Sequence, residues 1–169
     1  MGFRDTVRSS VIELDRTLGE RVCGMAVSGT AVPKFTQRRT QEDPMHITER
    51  VLVEPMLAHL GYTRTGDGRV AIVTATMNSA PSSVSEETMT NMLINRYRAG
   101  IGTDGFRWIL IARNGEGRTR VSAVFDLREY YLEELERIRF RAAVERDPEV
   151  AEEFVRRMSR GNVVDQGRS

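Results

Sequence analysis

The stretch that decides the fold is Ile101-Gly102-Thr103-Asp104-Gly105-Phe106-Arg107-Trp108-Ile109-Leu110. Its first half suits a reversal of direction. Gly105 permits a positive φ, and the Asp104 carboxylate can accept hydrogen bonds from its own backbone. Its second half is apolar, with Trp108 as a large anchor for a sheet. Residues 100–105 therefore read as a tight connection and residues 106–112 as a core strand. That strand is expected to pair with residues 120–125 in a hairpin around Asn114-Gly115-Glu116-Gly117. Upstream, Val70-Ala71-Ile72-Val73-Thr74-Ala75-Thr76 lies in a second strand, residues 69–76, introduced by the turn signal Gly66-Asp67-Gly68. The unbroken apolar run predicts burial on both faces.

Helical patterns surround these strands. Val7, Val11, Leu14, Leu18 and Val22 form one stripe and predict a helix over residues 6–22, weakened near Gly19. Residues 24–45 read as a polar loop with a short strand around 25–27. Thr48 is the candidate cap of the next helix, whose apolar face is Val51, Leu52, Met56, Leu57 and Leu60 and whose stop is Gly61. Pro55 inside it predicts a kink or a later start. Residues 79–85 read as a loop and 86–98 as a helix carrying Met89, Leu93, Ile94 and Tyr97. A long helix is expected over 127–145, carrying Leu127, Tyr131, Leu135, Ile138 and Ala142. Asp147-Pro148 opens a last helix that ends near Arg160-Gly161. Residues 1–161 then form one globular domain, with C-terminal helices over 126–161 and a mobile tail over 162–169.

Composition narrows the function classes. A chain of 169 residues with 40% hydrophobic and 29% charged residues suits a single domain with a real core. A net charge of +1 provides no global field toward nucleic acid or membrane. Lys34 is the only lysine among 25 basic residues. The arginines suit bidentate phosphate recognition, although a GC-rich coding bias is the plainer reading. One cysteine, Cys23, allows no internal disulfide, and a reducing compartment, the cytoplasm, is the natural expectation. No apolar run reaches the roughly 20 residues of a membrane span.

The order of these pieces resembles the N-terminal nuclease domain of the motor subunit of type I restriction enzymes, in the restriction-endonuclease-like superfamily. Three stretches carry the resemblance: Val51-Leu52-Val53-Glu54-Pro55-Met56-Leu57-Ala58-His59-Leu60-Gly61-Tyr62, the 70–76 strand, and Thr103-Asp104-Gly105 followed by Trp108. It spans residues 47–125 and implies an α/β (α+β) fold, a small mixed sheet flanked by helices. Members tend to carry Thr-Asn-Gly or Thr-Asp-Gly and then Trp before an apolar strand. Thr103, Asp104, Gly105 and Trp108 are thus fold markers. The resemblance also implies metal-dependent phosphodiester cleavage in active members. That chemistry uses a Glu on the helix before the sheet, an Asp on an early strand, and an acidic-x-Lys pair on the central strand.

Here Glu49, with Glu54 as a competitor, matches the first element. Asp67 is the only acidic residue near the second, with scarcely room for a strand of its own, and its plain role is the turn. Thr74 and Thr76 stand at the third. A hydroxyl is neutral and a weak ligand for a hard cation, so the pair lacks the central ligand and the water-orienting Lys. The expectation is a catalytically inactive nuclease-fold domain in defence or DNA processing, retaining Glu49, Asp67, Thr74 and Thr76 as vestiges, with no metal or other cofactor. It would bind DNA or a partner protein. Arg38, Arg39, Arg96 and Arg98, the last two flanking Tyr97, are the candidate phosphate contacts, and solvated surface charge is the plainer reading. One alternative is an active DNA endonuclease using Glu49 or Glu54 with Asp67, which alone would require Mg²⁺. Another is a structural or assembly protein that dimerises or docks through its C-terminal helices. His46 and His59 form no metal-ligand cluster, and Cys23 lacks an activating neighbour beyond Arg21.

Overall fold

The computed structural model describes residues 2–30, 42–63 and 68–166. They form a four-stranded mixed sheet flanked by helices, in the order β1 (Val70–Thr74), β2 (Ala99–Thr103), β3 (Arg107–Arg113) and β4 (Thr119–Asp126). β1 and β2 are parallel, with Val70 opposite Ala99 and Thr74 opposite Thr103. β3 runs antiparallel to β2, and the expected β3–β4 hairpin is present with a register irregularity at Leu110/Ile111.

The helices divide between the two faces. In chain order they are α1 (Phe3–Leu18), α2 (Glu20–Val27), α3 (Pro44–Ile47) and α4 (Glu54–His59), then α5 (Pro81–Asn95), α6 (Arg128–Phe140), α7 (Glu149–Met158) and α8 (Arg160–Gln166). Among the described residues α5 covers one face, packing Val84 and Met92 on Ala71, Ile109 and Ile111. The main core fills the other face, where Val70, Ile101, Trp108, Leu110 and Phe125 meet the remaining helices. Alternation along β3 therefore buries both of its faces, as the unbroken run Trp108–Ile111 requires. Trp108 is fully buried, with its ring 5.5 Å from Phe154.

β2 is the strand that its own glycines conceal. Residues 100–105, expected as a connection, instead begin with a fully buried strand. A Cβ on Gly100 would meet Met92 Sδ at 2.6 Å, and one on Gly102 would meet Val84 Cγ1 at 2.8 Å. The bare backbone is what lets α5 lie directly on the sheet. The inward stripe of α5 is accordingly Val84, Thr88 and Met92, whereas the more apolar Leu93 and Ile94 are exposed. The helix also starts earlier than expected, with Pro81 in its first turn, where a missing N–H carries no penalty.

Other departures have local causes. Residues 6–22, expected as one helix, break at Gly19 with φ 85°. α2 then occupies residues expected as loop or strand, burying Cys23, Ala26 and Val27. Residues 44–59 are continuously helical and start at Asp43, whose Oδ1 accepts the His46 N–H at 2.8 Å. Thr48 is no cap: it lies inside, donating to the Pro44 carbonyl at 2.7 Å and accepting from Met77 N–H at 2.9 Å. The Pro55 problem is met by a wide π-type turn over Thr48–Val53, placed just before the proline. α6 stops at Arg141, which adopts φ 56°, so Ala142 falls outside the helix, and Ile138, still within it, is exposed. The tail expected over 162–169 is largely helix α8, held because Val163 and Val164 are buried and Arg160 N–H reaches the Leu60 carbonyl at 2.9 Å. Among the described residues no helix is long and apolar enough to cross a membrane.

An ion cluster ties α1 to the π-type turn. Glu13 lies 2.5 Å from Arg16 and 2.9 Å from Arg50, and Arg50 also meets Glu42 at 2.8 Å. The Arg16 and Arg50 hydrogen bonds hold the Glu13 carboxyl down at about 2, against an ordinary 4.5. A depressed folded-state value gives stability that is present above the ordinary value and lost as pH falls through the folded one. We expect the melting temperature to fall between pH 4.5 and about 2, with a shallower fall in Glu13→Gln, read by circular dichroism. Gly102→Ala should destabilise by about 1–3 kcal/mol through overpacking. Gly115→Ala, with open space around the new methyl, should stay within about 0.5 kcal/mol. Urea unfolding compares the two.

Candidate functional site

Of the positions matched to a nuclease centre, Thr74 and Thr76 stand at the carboxyl end of β1. Thr74 ends the strand, half-buried, and Thr76 follows it with its hydroxyl 3.9 Å from Met45 Sδ. Glu49 is exposed on the π-type turn and Glu54 is half-buried at the start of α4. Asp67 lies outside the described residues. The resemblance implies a central strand for the 74/76 pair, but β1 stands at the edge of the described sheet, paired with β2 alone. A donor set of two threonine hydroxyls does not fit a hard divalent cation. Among the described residues, no group of three or more His, Cys, Asp or Glu could hold a metal ion.

The carboxyl ends of the parallel strands are closed by a hydrogen-bonded knot. Asp104 Oδ1 accepts from Phe106 and Arg107 N–H at 3.0 and 2.8 Å, and Oδ2 accepts from Asn78 N–H at 3.0 Å. Thr103 Oγ1 accepts from Gly105 N–H at 2.9 Å, and Gly105 has φ 93°. The Asn78 side chain accepts from Arg128 at 2.6 Å. Arg128 also donates to the Ala26 and Val27 carbonyls at 3.1 and 2.9 Å, while its guanidinium carbon lies 4.5 Å over the Phe106 ring. Asp104 is thus saturated by backbone donors and serves the turn. The knot uses Asn78 and Arg128, for which the sequence has no signal: Asn78 adopts φ 67°, and its partner is 50 residues away.

The opposite end of the same two strands is basic. A cleft of about 390 Å³ is bordered by Arg69, Arg96, Tyr97 and Arg98, with Val163 and Val164 of α8 along it. The register explains the cluster. Val70 faces Ala99 in a parallel pair, so Arg69 and Arg98 stand side by side at the heads of adjacent strands. Arg96 is the left-handed residue that ends α5, with φ 59°. Tyr97 N–H returns to the Met92 carbonyl at 2.9 Å, which fixes the path between the two arginines. All three arginines are exposed and Tyr97 is half-buried. Arg96 and Arg98 were visible as a pair around Tyr97. Arg69 was not, because only strand pairing brings it there. Arg38 and Arg39 lie outside the described residues. On the C-terminal helices and the connection between them, the exposed apolar residues include Ile138, Phe140, Val144 and Val150, of which Phe140 at 73% and Val144 at 76% are the most exposed.

Cys23 sits in the main core, and burial followed by the charge of Asp15 pushes its thiol up to about 12. A thiol held protonated is a poor nucleophile. We expect iodoacetamide to leave Cys23 unmodified in the folded protein at pH 8 and to alkylate it fully in guanidinium, by intact mass. Rapid native labelling would show that the α1–α2 corner opens. No protein-family model, no curated protein and no solved structure matches this chain.

Proposed function

We propose that this chain is a non-catalytic nuclease-like domain that binds nucleic acid through the cleft of Arg69, Arg96, Tyr97 and Arg98. The observation that carries this reading is the convergence of three guanidinium groups and one aromatic ring on one concavity. Guanidinium groups bind phosphate oxygens bidentately, and an aromatic face accepts a stacked base. Loss of cleavage follows from the resemblance to type I restriction nuclease domains together with Thr74 and Thr76, whose hydroxyls supply neither the charge nor the Lys of an active centre. The natural setting of such a domain is defence or DNA processing, in the cytoplasm, with DNA as the nucleic acid.

A second reading, a domain that assembles with a partner protein or a second copy, is favoured by the apolar side chains left outside at Phe140 and Val144.

Fluorescence anisotropy with labelled single-stranded and duplex DNA, over a salt series with Mg²⁺, Mn²⁺ or a chelator, tests the leading reading. Binding should weaken as salt rises, and no cleavage should occur with either metal. Arg96→Ala with Arg98→Ala should lower affinity and reduce the log–log salt slope by about 0.7–0.9 per lost phosphate contact. Binding unchanged in that double variant would remove the cleft from the interface. Metal-dependent cleavage would place working carboxylates elsewhere and restore the endonuclease reading. Absence of binding with a concentration-dependent dimer would favour assembly.

A further inference from the structure

A second concavity, separate from the basic cleft, lies where α1, α4, α6 and α7 meet. Its volume is about 510 Å³, within the range of small-molecule sites. Val7 and Tyr130 form a buried floor. Above it Phe3, His59 and Val155, each half-buried, and the exposed Pro148 present open apolar surface. Three of these residues carry rings that meet at Phe3. Its ring stands edge to face with Tyr130 at 5.4 Å and is tilted 56° to the His59 imidazole at 6.5 Å. The Tyr130 hydroxyl is committed, donating to the Asp147 carbonyl at 2.5 Å and accepting from Ala151 N–H at 3.0 Å. That pair of bonds fixes α7 against α6, so the floor is held in place.

The charged groups of the wall are balanced in sign and largely engaged within the protein. Arg4, Arg146 and Arg156 line the cavity together with Glu133, Glu134 and Glu152. The arginines turn to carboxylates that do not line it: Arg4 to Glu145 at 3.2 Å, Arg146 to Glu136 at 3.0 Å, Arg156 to Glu153 at 2.5 Å. Glu133 accepts from the Arg146 backbone N–H at 2.7 Å. Glu134, with 2% of its side chain exposed, belongs to an internal cluster with Arg8 at 3.1 Å and Arg137 at 3.9 Å. Glu152 is exposed to solvent. A charged head brought here would meet both signs at close range and find most partners taken. It would give up hydration without a matching return. A neutral body meets no such cost.

We infer that this cavity binds a small neutral aromatic molecule, with its ring against Phe3, Tyr130 and Val155. Apolar cavities take up apolar guests, because the water beside an apolar wall is released at a gain. A guest ring also adds edge-to-face contacts to those already present between Phe3 and Tyr130, beyond the area it buries.

Titration of the full chain with 2-phenylethanol, followed by amide ¹H–¹⁵N shifts and by melting temperature, tests this. 2-Phenylethylamine and phenylacetate carry the same ring with opposite charges, and 1-hexanol is neutral without a ring. 2-Phenylethanol should shift amides at Phe3, Tyr130, Ala151 and Val155 and raise the melting temperature. It should bind at least about tenfold more tightly than either charged probe, and about three- to tenfold more tightly than 1-hexanol. Val155→Trp, which fills the cavity, should abolish binding. Val124→Trp, on the exposed side of β4 and outside the cavity, should leave it unchanged. Should Val155→Trp fail to fold, the ranking of the probes and the location of the shifts still decide. Binding of a charged probe as tight as that of the alcohol, 1-hexanol equal to the aromatic, shifts located elsewhere, or undiminished binding in Val155→Trp would each overturn the assignment. None of these results depends on whether the basic cleft binds nucleic acid.

Discussion

Gly100 and Gly102 leave β2 without side chains toward α5, and the helix rests on the strand backbone itself. That close approach organises both ends of the molecule. β2 pairs with β1 on one side and β3 on the other, so its position sets the sheet register. At its carboxyl end the chain turns through Thr103-Asp104-Gly105 into the Arg128 knot. At its head, the end of α5 delivers Arg96, Tyr97 and Arg98 to the same corner as Arg69. A larger residue at either glycine would lift α5 and move the knot and the cleft together, because one strand carries both.

What could be read in advance followed periodicity. The α1 stripe Val7, Val11, Leu14 and Leu18, the β3 run around Trp108, the hairpin and the Asp147-Pro148 start of α7 all repeat at the spacing their structure requires. Where the signal was absent or misleading, a specific physical reason stands behind it. Glycines in β2 indicate a turn by composition and a strand only once Thr88 and Met92 are known to fill the space above them. Leu93 and Ile94 are more apolar than Thr88, and burial of a threonine in their place follows from its hydroxyl bonding the Val84 carbonyl at 2.7 Å. Short α8 has few residues, and its order comes from packing Val163 and Val164, a tertiary effect that no local pattern encodes.

The candidate site divides in the same way. Arg96, Tyr97 and Arg98 adjoin in sequence and were legible as a group. Arg69 joins them only through the parallel register. The abundance of arginine also has a structural share. Arg50, Arg128, Arg139 and Arg146 each serve several partners: Arg139 reaches Asp15 and the Glu20 carbonyl, and Arg146 reaches Glu129 and Glu136. A planar fork with several donors can join helix ends that an ammonium would satisfy singly. Composition alone therefore overstates how many arginines are available to a ligand.

Arg96 closes α5 in a left-handed conformation that glycine adopts without steric penalty and a branched chain does not. Arg141 closes α6 the same way, far from the cleft. The two sites form an internal contrast. At 141 a glycine would relieve the backbone and take nothing from the cleft. At 96 the same relief, on the order of 1 kcal/mol, would delete a guanidinium from the basic corner. Position 96 is thus a point where thermal robustness and the positive charge of the cleft pull in opposite directions, and drift toward a more heat-resistant chain would erode that charge from this residue outward.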